Sequence, residues 1–220
     1  MKHYYEAYEE RYKTAHGKGV SWAGDIPSPI VLETVRKYGF SKDTPMLEIG
    51  CGEGRDAGAV LEGGYDLTAT DLSPEAVAYC REKYPAYAEK FAVLDCIGGS
   101  CEKRYGFIYA VAVVHMLVLD GDRDAFYGFI RDHLMEGGVA LVCSMGEGKF
   151  EMKTDPDEAF VLKEREHPSG KMRVAATSCR MVSFDTFKKE IARNGLTILE
   201  TGLTEAMPDF NSLQYAVVGK

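Results

Sequence analysis

The chain has 220 residues, 45% of them hydrophobic, enough for one domain with a substantial core, and no linker-like composition divides it. A net charge of −8 without a long basic run argues against a dedicated nucleic-acid binder, since phosphate contacts dominate that kind of affinity. The six cysteines lack a framework spacing and read as cytosolic thiols. The N-terminus has no apolar signal core and no span is of membrane length, so a soluble, cytoplasmic protein without membrane contact is expected.

Residues 2 to 14 place Tyr5, Tyr8 and Tyr12 on one face of a first helix. Trp22 to Pro27 breaks regular structure, and Ser28 as N-cap with Pro29 as first helical residue opens a second helix ending near Gly39. Strands and helices then alternate: strand 46–49, helix 55–62, strand 66–70, helix 74–84, strand 91–94, strand 107–114, helix 122–135 and strand 139–144. Alternation of this kind predicts a parallel sheet covered on both faces. Beyond Ser144 the pattern changes. Residues 160–166 and 171–178 flank His167 to Gly170 as a β-hairpin, Ser183 caps a helix ending at Asn194-Gly195, and strands near 196–201 and 213–218 close the chain. The expected organisation is a single domain over 1–220, with an N-terminal helical lid at 1–40 and an inserted hairpin at 146–182 that forms a substrate region.

The run Met46 to Arg55 is the most informative: a short strand, then Gly50, Gly52 and Gly54, then a helix. Glycines permit the tight turn and let a ligand approach a helix N-terminus, and Asp71, at the end of the next strand, can accept the hydroxyl protons of a ribose. A dinucleotide fingerprint needs G-x-G-x-x-G, but here the spacing is G-x-G-x-G and Arg55 stands in place of the third glycine. Glu48, just before the turn, would repel a pyrophosphate and suit a cationic ligand. S-adenosylmethionine fits better than NAD.

On these residues the chain resembles the class I S-adenosylmethionine-dependent methyltransferases, from about Ser28 to the C-terminus. Glu48 to Gly54 is similar to that family's first motif, Asp71 to its ribose-binding acid, and Leu94-Asp95-Cys96 to the segment that contacts adenine. Ala112 to Leu117 is similar to the segment after the fourth strand. Gly52 to Asp56, with Gly64 to Asp71, resembles the branch of the tellurite-resistance and thiopurine methyltransferases. The resemblance implies a Rossmann-like, mostly parallel sheet with an antiparallel final strand and helices on both faces. It implies cofactor contacts at Glu48, Gly50, Cys51, Gly52, Gly54, Asp71, Leu72, Asp95, Cys96 and Val111.

Methyl transfer from a sulfonium is an in-line displacement, in which positioning supplies most of the catalysis. His115, following the fourth strand, is the candidate base; a structural histidine there is the alternative. Tyr5, Tyr8, Tyr12 and Trp22 are expected to form an aromatic lid over the substrate. Arg180, or a hairpin arginine, is the candidate partner for an acidic substrate group. His16 is read as exposed unless the lid folds inward, and His3, His133 and His167 as solvated. No nucleophile elbow, Walker motif or zinc-ligand set is present, so no metal is implied. The expected function is methyl transfer to a small-molecule acceptor, at nitrogen, oxygen, sulfur or a metalloid. Alternatives are a regulator or subunit that binds the cofactor without turnover, a protein or nucleic-acid methyltransferase, and an NAD enzyme.

Overall fold

The computed structural model describes residues 2–204 and 212–220. A 3-10 turn at Tyr4–Glu6 runs into α1 (Ala7–His16), followed by α2 (Pro29–Lys37). The alternating part is β1 (Met46–Ile49), α3 (Arg55–Glu62), β2 (Leu67–Asp71), α4 (Pro74–Lys83), β3 (Phe91–Val93), β4 (Tyr105–Val111), α5 (Asp120–His133) and β5 (Leu134–Met145). Then come β6 (Met152–Lys153), β7 (Leu162–Arg165), β8 (Met172–Ala175), β9 (Arg180–Met181), α6 (Phe184–Arg193), β10 (Thr197–Thr204) and β11 (Leu213–Gly219).

Seven strands form one sheet in the order β10-β11-β5-β4-β1-β2-β3. Pairings from β3 across to β5 are parallel; β11 runs antiparallel between β5 and β10. The period of two along each strand divides the core into two layers. Met46, Phe107, Tyr109 and Leu141 pack with α2, α3 and α4 on one face, whereas Leu47, Ile49, Ile108, Ala110 and Val142 pack with α5 and α6 on the other. The expected Rossmann-like sheet with an antiparallel final strand is therefore present, and β7–β8 form the expected hairpin as a separate two-stranded sheet.

Local signals behave as chemistry predicts at most boundaries. Ser73 caps α4, its hydroxyl accepting from the Ala76 N–H, and Pro74 occupies the first turn, where no donor is needed. Ser183 caps α6 in the same way. Ser28 departs from expectation: it precedes α2, but its N–H and hydroxyl both donate to the buried Asp56 carboxylate, at 2.6 and 2.8 Å, tying α2 to the start of α3.

The α5–α6 side is fixed by an ion pair with no solvent contact. Arg123 bonds Glu190 through Nε and Nη2 at 2.8 and 2.6 Å, and its Nη1 donates to the carbonyls of Val114 and Leu117. One guanidinium thus joins two helices to the segment after β4. Removing one member of such a pair leaves a buried charge unbalanced. Glu190→Gln is expected to lower unfolding free energy by about 3–5 kcal/mol, read from urea denaturation; a loss below about 1 kcal/mol would show that the pair does not hold the helices together.

Candidate functional site

β1 delivers the chain into three glycines with positive φ, Gly50 at 73°, Gly52 at 53° and Gly54 at 78°. Their space is also taken: a Cβ on Gly50 would lie 2.5 Å from Val113 Cγ2, and one on Gly52 2.9 Å from the Tyr12 hydroxyl. Gly54 has a different task from the one expected. It borders neither cavity described below, and its bare Cα instead lets Tyr84 and Cys80 pack against the start of α3.

Two cavities open at the carboxyl ends of the central strands. The first, about 290 Å³, is bordered by Asp71, Leu72, Asp95, Cys96 and Ile97 on the sheet side and by Tyr5 and Glu9 of the N-terminal segment. The second, about 400 Å³, is bordered by Glu48, Cys51, Gly52, Val111 and His115, and by Arg11, Trp22 and the hairpin turn at Glu166 to Pro168. Tyr8, Tyr12, Gly50 and Met116 border both, so the two adjoin at the glycine turn.

At the first cavity, Asp71 accepts from the Gly52 and Ser73 N–H groups, each at 2.8 Å. Burial raises its pKa, and these two donors oppose the rise. Asp95 accepts from the Ile97 N–H at 2.8 Å, which fixes the turn after β3. The Cys96 thiol is pushed up to about 12 by burial and stays neutral.

At the second, burial, then the nearby Asp56, raises the pKa of the Glu48 carboxyl, and Tyr109, its register partner on β4, donates to it at 3.0 Å. The hydrogen bond with Cys80 and then burial push the Cys51 thiol up as well.

His115 lies in the 3-10 turn Val114–Met116, reached through Ala112, whose φ of 58° turns the chain sharply at the end of β4. Burial, followed by the positive charge of Arg123, lowers the imidazole to about 4. It is therefore neutral near pH 7 but a weak proton acceptor.

The N-terminal segment is tied to the glycine turn and α4 by carboxylates. Glu53, in the glycine turn, accepts from the Trp22 and Ala23 N–H groups at 2.6 and 2.7 Å and faces His16 Nε2 at 2.8 Å. His16 Nδ1 faces Glu75 at 2.9 Å, and the ring stacks on Tyr79, so this residue is turned inward and half-buried. Glu9 accepts from Ser73 Oγ and the Glu75 N–H, docking α1 on the start of α4. His167 is also not solvated: Nε2 faces the Ser21 carbonyl at 2.9 Å and its ring stacks on Trp22. His133 is buried against the Phe129 and Cys101 carbonyls, and His3 stacks on Tyr5.

Arg180 is elsewhere. Its Nη1 donates to the Val118 carbonyl and to Asp120, its Nη2 lies 3.6 Å from Glu190, and it borders neither cavity. Two other arginines border the second cavity: Arg55, at the start of α3, and Arg11, with Tyr8 and Trp22 rings at 4.9 and 4.6 Å. Sequence reading missed Arg11, Glu9 and Glu53. The three-and-four spacing Tyr5, Tyr8/Glu9, Tyr12, His16 was the available signal for Glu9 and for the inward turn of His16.

Strand order, the antiparallel β11 and the glycine turn beside Asp71 define the fold of the class I S-adenosylmethionine-dependent methyltransferases. Comparison with known proteins agrees. Residues 47–140 match a family described as a methyltransferase domain. The chain superposes on the CcbJ methyltransferase from Streptomyces caelestis with a TM-score of 0.70 at 17% identity, covering 96% of this chain and 98% of that one. For an S-adenosylmethionine-dependent methyltransferase from Clostridium acetobutylicum the values are 0.67, 17%, 97% and 98%. For the glycopeptide N-methyltransferase MtfA, solved with S-adenosylmethionine, they are 0.65, 19%, 90% and 95%. A curated relative, Hemagglutinin 1 from Eikenella corrodens, is 32% identical over 103 residues, which is 44% of this chain and 33% of that protein. The chain thus spans about a third of the length of that relative. Among the described residues no helix is long and apolar enough to cross a membrane.

The depressed pKa of His115 has a consequence for stability. The unfolded chain takes up this proton from about pH 6.5 downward and the folded protein only near pH 4, so the contribution is whole above pH 6.5 and is lost as pH falls between those values. The upper limit is about 3 kcal/mol. Urea midpoints measured between pH 4 and 7 are expected to rise with pH, and His115→Asn should flatten the rise; an unchanged slope in the variant would mean that His115 does not carry it.

Proposed function

We propose that this protein transfers the methyl group of S-adenosylmethionine to a small-molecule acceptor. The observation that carries the reading is that the two cavities adjoin at Gly50: an acidic, ribose-suited one at Asp71 and Asp95 lies on one side of the glycine turn and an aromatic chamber under α1 and the hairpin on the other. Gly50 borders both cavities and Gly52 the second, and their positive φ angles let the turn pass there without side chains that would project into the space.

In this reading Asp71 holds the ribose hydroxyls, the segment Leu94 to Cys96 faces adenine with Leu72 beside it, and Glu48, Gly50, Cys51, Gly52 and Val111 border the methionine end. The bound cofactor supplies a methyl carbon on a sulfonium, to which an acceptor lone pair bonds while sulfur keeps the electrons of the broken C–S bond. The chain's own contribution is placement. Tyr8, Tyr12 and Trp22 enclose the chamber and exclude water, and effective molarities of about 10⁵ to 10⁸ M show how far alignment alone lowers a barrier. Burial and the nearby Asp71 carboxylate raise the Tyr12 phenol well above its ordinary pKa, which makes it a hydrogen-bond donor rather than a base. His115, neutral and facing the same chamber, is the group that could accept an acceptor's proton.

A roof formed by α1 and the hairpin suits a small acceptor better than a duplex or a folded protein. That the similar structures include an enzyme named for glycopeptide N-methylation supports the same direction. Within the class, the Gly52 to Asp56 and Gly64 to Asp71 motifs favour the tellurite-resistance and thiopurine branch.

Calorimetric titration with S-adenosylmethionine, S-adenosylhomocysteine and NAD tests the cofactor. Micromolar binding of the two sulfur nucleosides is expected, with none for NAD, and Asp71→Ala should weaken it by at least about ten-fold, the scale of one charge-assisted hydrogen-bond site. Equal binding of NAD, or no effect of the substitution, would overturn the assignment.

A further inference from the structure

The second cavity has an electrostatic asymmetry that bears on what it accepts. Four carboxyl groups border it, and each is internally satisfied or at the rim. Glu48 is buried, which raises its pKa, and it accepts from the Tyr109 hydroxyl at 3.0 Å. Glu53 accepts from two backbone N–H groups and His16. Asp56 accepts from the Ser28 N–H and hydroxyl, with Arg55 Nε at 3.8 Å. Glu166 is mostly exposed and lies 3.8 Å from Lys171.

Arg11 is the opposite case. It is 6% exposed, yet its guanidinium bonds end on neutral acceptors: Nε and Nη2 donate to the Ala175 carbonyl at 3.2 and 2.7 Å, and Nη2 also reaches the Ala176 carbonyl and Thr177 Oγ1 at 2.7 Å. The Tyr8 hydroxyl is a further neutral hydrogen-bond partner of the guanidinium. No carboxylate pairs with Arg11 among the described residues, and another positive charge, Arg165, lies near enough to lower its pKa further after the effect of burial. A buried cation without a counter-charge is costly, and an incoming anion relieves that cost.

The wall that holds Arg11 is itself strained. Thr177, β-branched, adopts φ 59°, a left-handed conformation rare for such a residue. Its hydroxyl accepts from Arg11 and donates to the Ala176 carbonyl at 2.7 Å, so the strained turn aims two acceptors at one guanidinium. This wall belongs to the segment after the hairpin, whereas the glycine turn borders the cavity from the ends of the sheet strands.

We infer that the methyl acceptor is a small molecule bearing a carboxylate, which docks on Arg11 at the hairpin side of the second cavity while its nucleophilic atom points toward the glycine turn. The inference rests on the methyl-transfer reading above and adds the acceptor's chemical class. One guanidinium already spending two of its nitrogens suits a monoanion; a phosphate dianion calls for more donors.

Trp22 is the chain's only tryptophan and its ring lies 4.6 Å from the Arg11 guanidinium, so its emission reports this position. The full-length protein, saturated with S-adenosylhomocysteine, is titrated with benzoate, benzamide and phenyl phosphate while Trp22 fluorescence is followed. Benzoate should bind at least about ten-fold more tightly than benzamide, the scale of a charged hydrogen bond. Arg11→Gln should abolish that preference and Arg11→Lys keep part of it, with S-adenosylhomocysteine affinity, read by calorimetry, within about two-fold of wild type in both variants, a difference well under one charged hydrogen bond. Equal binding of the amide, tighter binding of phenyl phosphate, or no saturable response to benzoate would overturn the proposal. A fall in S-adenosylhomocysteine affinity as large as the fall for benzoate would also overturn it, by giving Arg11 to the cofactor's own carboxylate. If the wild type binds no S-adenosylhomocysteine, the methyl-transfer reading fails on its own, and benzoate titration of the cofactor-free protein still reads Arg11.

Discussion

The carboxylate of Glu53 is the constraint on which the site depends. It sits in the glycine turn, where the backbone has no side chains of its own to spare, and it gathers two N–H groups from Trp22 and Ala23 and the imidazole of His16. Three donors around one buried acid fix the loop before α2 and the end of α1 to the turn that follows β1. Together with the Glu9 contacts that dock α1 on the start of α4, the Glu53 carboxylate sets the height of the aromatic stripe of α1 above the sheet, which places the Tyr12 hydroxyl against Gly52 and Tyr8 at the border of both cavities.

A second fixed point lies on the opposite layer. Arg123, paired with Glu190 and bonded to the Val114 and Leu117 carbonyls, determines where the turn carrying His115 can lie, and its charge is one reason that this imidazole stays neutral. The two anchors give the cleft its chemical character. His115, Cys51 and Cys96 are held in uncharged forms by burial or neighbours and the pKa of Glu48 is raised by its burial, while Arg11 has no acidic partner among the described residues. Such a chamber is suited to orienting a reactant rather than to vigorous acid–base work, which matches what displacement at a sulfonium requires.

Much of this was legible in the chain. The β1–turn–α3 unit, the acid ending β2, the capped starts of α4 and α6, the hairpin and the closing antiparallel strand all rest on local rules: period-two apolar runs, positive-φ glycines, prolines in first turns and serine caps. Boundaries moved by a few residues where the sheet extended or shortened a strand, as at β5, which begins at Leu134 rather than Val139.

What the sequence by itself determined was therefore the order and type of the elements and the ends of the strands where a ligand can sit, because those depend on neighbours within one turn or one pleat. Only the tertiary structure decided which charges meet. Arg11 finds its acceptors 164 to 166 residues away, Arg180 is drawn to Asp120 and Glu190 instead of a cavity, Ser28 turns from its own helix to Asp56, and Glu48 is buried against the Tyr109 hydroxyl. Pairing and desolvation are set by distance in space, and distance along the chain carries no record of them.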